Sequence, residues 1–339
     1  MTIRTETRAL EHVKTPDGLK IALYRYASTR QDRRHPVLLV HGLGSNHSIF
    51  DALPLGENEG QGLAEHLSQS GFVVYSIDLR GRGGSDGPHT GDTRDWSVDH
   101  YVVYDLPAAL AHIVKSTGAK RIHWLGHSMG GLLSFLYQIC HGPDSIQSAV
   151  AMGAGLYDIT RRSTFRFAWM FPYFSPRKLR VLPAERALRF VAPFSSGSLP
   201  LLQMLYVSSN MMPTTARHLW RHGVGDVSLG EVEQLLGLVA PQGMTSVDGA
   251  IPYSFSGHCV RSPTLVVVGD QDPLVPLPSV AWTVATLGSR KKQMLTFGRP
   301  FGHRTSYGHA DLLCGIHAPR EVWPQIVSWL VQHDEKWVS

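Results

Sequence analysis

Apolar positions alternate with polar ones over two early stretches, Thr7 to Thr15 and Lys20 to Tyr26, separated by Asp17-Gly18. Alternation with a period of two around an Asp-Gly pair predicts a β-hairpin. The pattern changes after Pro36, where Val37-Leu38-Leu39-Val40 is continuously apolar. Such a run suits a strand buried on both faces of a parallel sheet. Similar runs follow at Phe72 to Ile77, Arg121 to Leu125, Ala149 to Met152 and Thr264 to Val268, with helical patterns between most of them. Alternating strands and helices predict an α/β fold with a mostly parallel, doubly wound sheet. One helix is well marked: Tyr101, Leu106, Leu110 and Ile113 run toward Gly118, a natural stop, and Pro107 is expected to kink it or to begin its main portion.

The alternation lapses from about 159 to 258. A structureless loop of that length does not suit a compact domain, so the stretch is expected to form an inserted, mostly helical cap. The organisation expected is a core in two parts, 1–158 and 259–339, with the cap at 159–258 between them. The cap holds an aromatic run from Phe165 to Phe174, an apolar stretch from Leu199 to Val207, and the helical pattern Val232, Leu235, Leu236, Val239. No internal repeat or low-complexity tract interrupts the chain.

Composition adds little that changes this picture. At 339 residues, 43% hydrophobic and 17% charged, the chain has the apolar mass for one large core with an insertion. The net charge of +5 and pI of about 9.1 come from scattered basic residues, with short clusters at Arg30 to Arg34 and Arg161 to Arg166. No nucleic-acid motif or sustained basic helix accompanies them, so no nucleic-acid partner is expected. The opening residues lack the apolar core of a secretory signal and no apolar run is long enough to cross a bilayer, which predicts a cytoplasmic protein without an integral membrane segment. Cys140, Cys259 and Cys314 show neither disulfide nor zinc spacing.

The strongest chemical signal is Gly126-His127-Ser128-Met129-Gly130-Gly131, which follows the run Arg121 to Leu125 and precedes the apolar segment Leu132 to Ile139. G-x-S-x-G between a strand and a helix lifts the serine hydroxyl above the sheet on a sharp turn. Ser128 is therefore read as a nucleophile, which needs a base and an orienting carboxylate. Both lie downstream, in Gly269-Asp270-Gln271-Asp272-Pro273 and in Tyr307-Gly308-His309-Ala310-Asp311. Asp272, just past a strand end, is the preferred acid and Asp270 its competitor, with turn capping as Asp270's alternative role. His309, held at a helix start, is preferred as base over His303 in the same loop. The oxyanion donors expected are the backbone N–H groups of Met129, after the nucleophile, and of Leu43, in the loop His41-Gly42-Leu43. Gly81-Arg82-Gly83-Gly84-Ser85-Asp86-Gly87 matches neither a dinucleotide fingerprint nor a Walker loop and is read as a structural bend.

With HGLG, DLRGRGGSDG, GHSMGG, GDQDPLVP and YGHAD in this order, the chain resembles the α/β-hydrolase superfamily over nearly its whole length. Within it, DWSVDHYVVYDLPAALAHIVKSTG before GHSMGG, and YGHADLLCG followed by Ala318-Pro319, are similar to the acid lipase and related bacterial lipase/esterase group. The resemblance implies an α/β-hydrolase fold, a Ser128, Asp272, His309 triad, an oxyanion hole from Leu43 and Met129, and ester hydrolysis without a cofactor or metal. Ser128 stands where polyhydroxyalkanoate synthases carry Cys and where haloalkane dehalogenases and epoxide hydrolases carry Asp, which argues against those chemistries.

The expected function is thus a serine hydrolase of carboxylic esters, lipase or esterase in type, acting on a small-molecule acyl ester. An acyltransferase or thioesterase would use the same acyl-enzyme, and a non-enzymatic binding protein on this fold would not keep the triad. The apolar cap predicts a preference for medium to long acyl chains or bulky apolar groups, with its methionines giving a broad lining.

Overall fold

The computed structural model describes residues 8–28, 30, 32–53, 61–87, 95–166, 180–182 and 205–334. The hairpin comes first: β1 (Arg8–Lys14) pairs antiparallel with β2 (Lys20–Tyr26), Arg8 opposite Tyr26 and Lys14 opposite Lys20. Behind it, β2 pairs antiparallel with β4 (Val74–Asp78). From β4 onward every pairing is parallel, through β3 (Val37–Val40), β5 (Ile122–His127), β6 (Ile146–Met152), β9 (Thr264–Gly269) and β10 (Lys292–Phe297). The result is an eight-stranded sheet in the order β1-β2-β4-β3-β5-β6-β9-β10, the mostly parallel α/β sheet that the run pattern predicts.

The continuous apolar runs are explained by two-sided burial. Successive residues of β3 point to opposite faces, so Val37 and Leu39 join one apolar layer while Leu38 and Val40 join the other. The first layer includes α1 (Leu63–Gln69) and α7 (Trp323–Gln332). The second includes α2 (Leu106–Thr117), α3 (Met129–His141) and α6 (Leu277–Thr286). Each fully buried aliphatic side chain in these layers contributes roughly 1.5 to 3 kcal/mol.

Pro107 begins the α-helical part of its segment, and the turn before it is wider than α. The Leu106 N–H reaches back to Tyr101 O, across residues 101–105 in π geometry. A proline cannot supply the usual N–H to the carbonyl four residues earlier. The Val102 carbonyl left over by the shift accepts from His141 Nε2 at 2.9 Å. Gly118 closes α2 at φ 70°, its N–H bonded to Val114 O.

The segment expected to be an insertion runs between β6 and β9, which are adjacent strands with Ala149 opposite Thr264. Its described part contains α4 (Pro213–His222), α5 (Leu229–Leu235) and short 3₁₀ turns. It also contains an element that the expectation of a helical cap did not include, the antiparallel pair of β7 (Val181–Leu182) and β8 (Val227–Ser228). The apolar residues of Val232 to Val239 divide between α5 and a 3₁₀ turn at Leu236–Leu238. Phe167 to Phe174 and Leu199 to Met204 lie outside the described residues. A capping box starts α5, with Glu231 accepting the Ser228 N–H at 2.9 Å. The same carboxylate receives Arg82 Nη2 at 2.6 Å and Tyr101 OH at 2.5 Å, so the bend after β4 is bolted to the insertion through a fully buried ion pair. No helix among the described residues is long and apolar enough to cross a membrane.

Candidate active site

Three of the expected residues follow the carboxyl ends of parallel strands, Ser128 after β5, Asp272 just past β9 and His309 in the loop after β10, on the side where open α/β sheets place their sites. Ser128 directly follows β5 and caps α3, in a conformation of φ 55° and ψ −121°. Positive φ is costly for a residue with a Cβ, on the order of 1 to 3 kcal/mol. The turn is possible because Gly126 and Gly130 each lie against backbone: a Cβ on Gly126 would lie 2.0 Å from Gly130 O, and one on Gly130 would lie 2.0 Å from Val40 O of the neighbouring strand. The Ser128 N–H is held by Met152 O at 2.7 Å.

His309 and Asp272 are both buried, with His309 Nδ1 2.7 Å from Asp272 Oδ2. A carboxylate accepts only, so Nδ1 carries the proton and Nε2 is left as the basic nitrogen. The other oxygen, Asp272 Oδ1, accepts the N–H groups of Leu274 at 2.9 Å and Val275 at 3.1 Å, which fixes the carboxylate plane. Asp270 does not approach His309 through its side chain; its two oxygens take Tyr307 N and Ser306 Oγ, both at 2.8 Å. The capping role considered for Asp270 is thus exercised on the histidine loop, while Asp272 caps its own turn. His303 packs on Phe297, ring centroids 4.7 Å apart, with Nδ1 against Gly298.

Gly153, at the end of β6, lines the same cavity as Ser128, and a Cβ there would sit 2.9 Å from His309 Nδ1 and 3.3 Å from Asp272 Oδ2. The cavity has an empty volume of about 610 Å³, including space open to solvent. Leu43, Met129, Leu132, Phe165, Leu235 and Leu238 are among the apolar residues around it. Met129 begins α3, so its N–H has no acceptor within the helix. Met211 packs in the same apolar layer as Tyr206 and Trp220. The carboxylate of Asp158 also borders the cavity but is engaged by Thr160, Ser163 and Ser279.

Two histidines whose roles the sequence does not disclose support this arrangement. His41 donates from Nδ1 to Gly42 O at 2.9 Å and accepts the Leu79 N–H on Nε2 at 3.1 Å, which shapes the loop carrying Leu43. Burial lowers its pKa to about 4, so it is neutral at pH 7. The same loop is held from the insertion, Ser45 Oγ donating to Gly223 O and Asn46 Nδ2 to His222 O, both at 2.7 Å. His127 donates from Nε2 to the carbonyl of His309 at 3.0 Å, with ring centroids 4.7 Å apart. Burial, then the adjacent His309, bring its pKa down to about 3.

The sign of that shift yields a prediction. An unfolded histidine takes its proton near 6.5 and folded His127 only near 3, so its stabilising effect is complete above 6.5 and is lost as pH falls. His127→Gln removes that dependence, worth roughly 1.4 kcal/mol per pH unit in that window. Thermal melts between pH 7 and pH 4.5 should show the native chain losing Tm more steeply than His127→Gln. Parallel slopes would refute a neutral buried imidazole. His41 and Asp311 contribute to both proteins alike and cancel in the comparison.

Among the described residues one group of metal-ligand type comes together, His35, His123 and Asp334, with ligand atoms within 4.8 Å of one another. It lies at the amino ends of β3 and β5, away from Ser128. Its contacts form a clip: Asp334 accepts from His35 Nδ1 at 2.7 Å and from the backbone N–H groups of Arg34 and His35.

A family model of the alpha/beta hydrolase fold matches residues 35–300. Over 94% of this chain and 87% of its own length, gastric triacylglycerol lipase of Rattus norvegicus is 23% identical. Triacylglycerol lipase 2 of Arabidopsis thaliana is 34% identical over a shorter stretch, 37% of this chain and 32% of that protein. Among solved structures, a soluble variant of monoglyceride lipase from Saccharomyces cerevisiae superposes with a TM-score of 0.64 at 17% identity, covering 99% of this chain and 98% of the other. An esterase from Thermogutta terrifontis gives a TM-score of 0.63 at 19% identity, with 96% and 100% covered.

Proposed function

Because this chain belongs to the α/β-hydrolase fold family, we propose that it is a serine hydrolase that cleaves carboxylic esters with medium to long or bulky apolar acyl groups. The observation that carries this reading is the buried His309–Asp272 pair packed against Gly153, a residue that lines one apolar cavity together with the strained Ser128. In the mechanism proposed, His309 Nε2 takes the Ser128 hydroxyl proton as Oγ bonds to the ester carbonyl carbon. The N–H groups of Met129 and Leu43 receive the resulting oxyanion. The C–O bond to the alcohol then breaks, the alcohol leaving with the proton from His309. Water, deprotonated by the same nitrogen, attacks the acyl-enzyme; the bond from the acyl carbon to Oγ breaks, His309 returns the proton to Ser128 Oγ, and the acid leaves. The names of the relatives, triacylglycerol lipase and monoglyceride lipase, support an ester as substrate.

The apolar lining supports the acyl preference. Each methylene buried in such a cavity contributes roughly 0.8 kcal/mol, so three more carbons would raise kcat/KM by at most about fiftyfold. With p-nitrophenyl esters from acetate to palmitate, kcat/KM is expected to rise from acetate to a maximum at a medium or long acyl chain. A steady decline from acetate onward would count against the acyl preference. The same panel, extended to acyl-thioesters and repeated with an added alcohol, tests the reaction type. Hydrolysis of oxygen esters without an acceptor supports the proposal, whereas turnover only with the alcohol, or only of thioesters, would replace it with acyl transfer or thioester cleavage.

A further inference from the structure

The loop that carries His309 is held from outside the core. Leu205, in the insertion, accepts through its carbonyl oxygen the N–H groups of both His309 at 3.0 Å and Ala310 at 2.7 Å. Five residues on, Asn210 is completely buried. Its Nδ2 donates to Asp311 Oδ2 at 3.0 Å and its Oδ1 accepts the His317 N–H at 3.2 Å. Its main chain is equally engaged, its N–H donating to Val207 O and its carbonyl accepting the Ile316 N–H, both at 2.8 Å. On the far side, Asp311 Oδ1 accepts the N–H of Gly308 at 2.8 Å. Asn210 and Asp311 therefore bracket His309, one bond reaching the residue before it and the Leu205 carbonyl reaching His309 itself.

The space for this joint depends on two glycines. A Cβ on Gly315 would come within 2.7 Å of Asn210 Nδ2 and 2.4 Å of Asp311 O, and one on Gly308 would lie 3.0 Å from Tyr206 Cα. The residue at 210 must donate to a carboxylate and accept from an N–H at once, which a planar amide does with a single group. Asn210 is absent from the cavity lining and makes none of the contacts of Ser128.

We propose that Asn210 is a positioning residue for the base, the joint through which the inserted segment sets His309 against Asp272. The inference rests on the proposed role of Ser128, His309 and Asp272. Burial lifts the Asp311 carboxyl to about 7, against the hydrogen bond from Asn210, which lowers it. The titratable groups around it are His309 and Tyr307 of the same loop, Cys314 in the following turn, and Glu321, which accepts the Tyr307 hydroxyl at 2.7 Å. A second carboxyl at position 210 would face Asp311 in a buried site where two carboxyls share one proton.

The test is steady-state and burst kinetics of the full chain with p-nitrophenyl esters, kcat being expressed per active site titrated by the burst. Asn210→Ala is expected to lower kcat per site by roughly tenfold or more while KM moves less than about threefold, the pattern of lost base alignment rather than lost substrate binding. Asn210→Asp is expected to stay active on the acid side and to lose kcat as pH rises and both carboxyls ionise. Combining Asn210→Asp with Asp311→Asn restores an amide facing a carboxylate and should remove that alkaline loss. Should the alanine variant not fold, the nearly isosteric Asn210→Asp carries the test through its pH profile. A lower burst amplitude with unchanged kcat per site, or an Asn210→Asp profile that overlays the native one, would overturn the inference. Failure of the underlying reading is separate: a fluorophosphonate would then label the native chain somewhere other than Ser128.

Discussion

Ser128→Ala is expected to abolish both ester turnover and labelling by a fluorophosphonate, with kcat falling by roughly five to six orders of magnitude toward the residual rate that binding and oxyanion donors give. Removing Oγ deletes the atom that would form the acyl bond and leaves the backbone of the turn intact. Alanine retains the Cβ at φ 55°, so the strain of the elbow is unchanged and so should be the Tm. Peptide mapping of the labelled native chain should place the phosphonate on Ser128. Modification of another residue, or full labelling of the variant, would sink the assignment of the nucleophile.

His309→Ala should lower kcat by roughly five to six orders of magnitude and Asp272→Asn by about four. The asparagine case is instructive because Asp272 Oδ1 is committed to Leu274 N and Val275 N. An amide oxygen would stay there, turning the NH₂ toward His309 Nδ1. The imidazole would then present an N–H instead of a lone pair to Ser128. Asp270→Asn is expected to cost less than about tenfold, because its bonds to Tyr307 N and Ser306 Oγ hold the loop without touching the imidazole. His303→Ala should be equally mild. Comparing kcat for the four variants checks the ranking, and a larger loss at Asp270 or His303 would assign the partners the other way.

What could be read from the chain was local. The strands β3 and β9 are buried on both faces, so an unbroken apolar run marks each of them, while in the equally buried β5 a histidine interrupts the run. The elbow at Ser128 is written in glycines two residues to either side, because the collisions they avoid lie within five residues or at the neighbouring strand. Gly118 stops its helix for an equally local reason. The unread features depend on distant partners. His127 meets a carbonyl 182 positions away and Asn210 a carboxylate 101 positions away, and no spacing signals either. The β7 and β8 pair has two residues per strand, too few for any periodicity to register. Pro107 announces a helix boundary, but the choice of a wide turn before it depends on His141 being present to take the spare carbonyl.

The order of the sheet has a consequence for how this chain can be altered. Because β6 and β9 are parallel, hydrogen-bonded neighbours, the segment between them only has to return as a crossover from the carboxyl end of one to the amino end of the other, and its remaining length lies outside the sheet. The intervening segment can therefore change in length, by evolution or by grafting, without moving any strand out of register. A transplanted segment would have to bring the groups that meet the core: an amide where Asn210 stands, a carboxylate for the buried Arg82 where Glu231 stands, and the main-chain carbonyls of Leu205, His222 and Gly223 in place. Chimeras that exchange this segment between relatives and keep the carboxylate for Arg82 should divide on the amide, with kcat per site lower by roughly tenfold or more where it is missing.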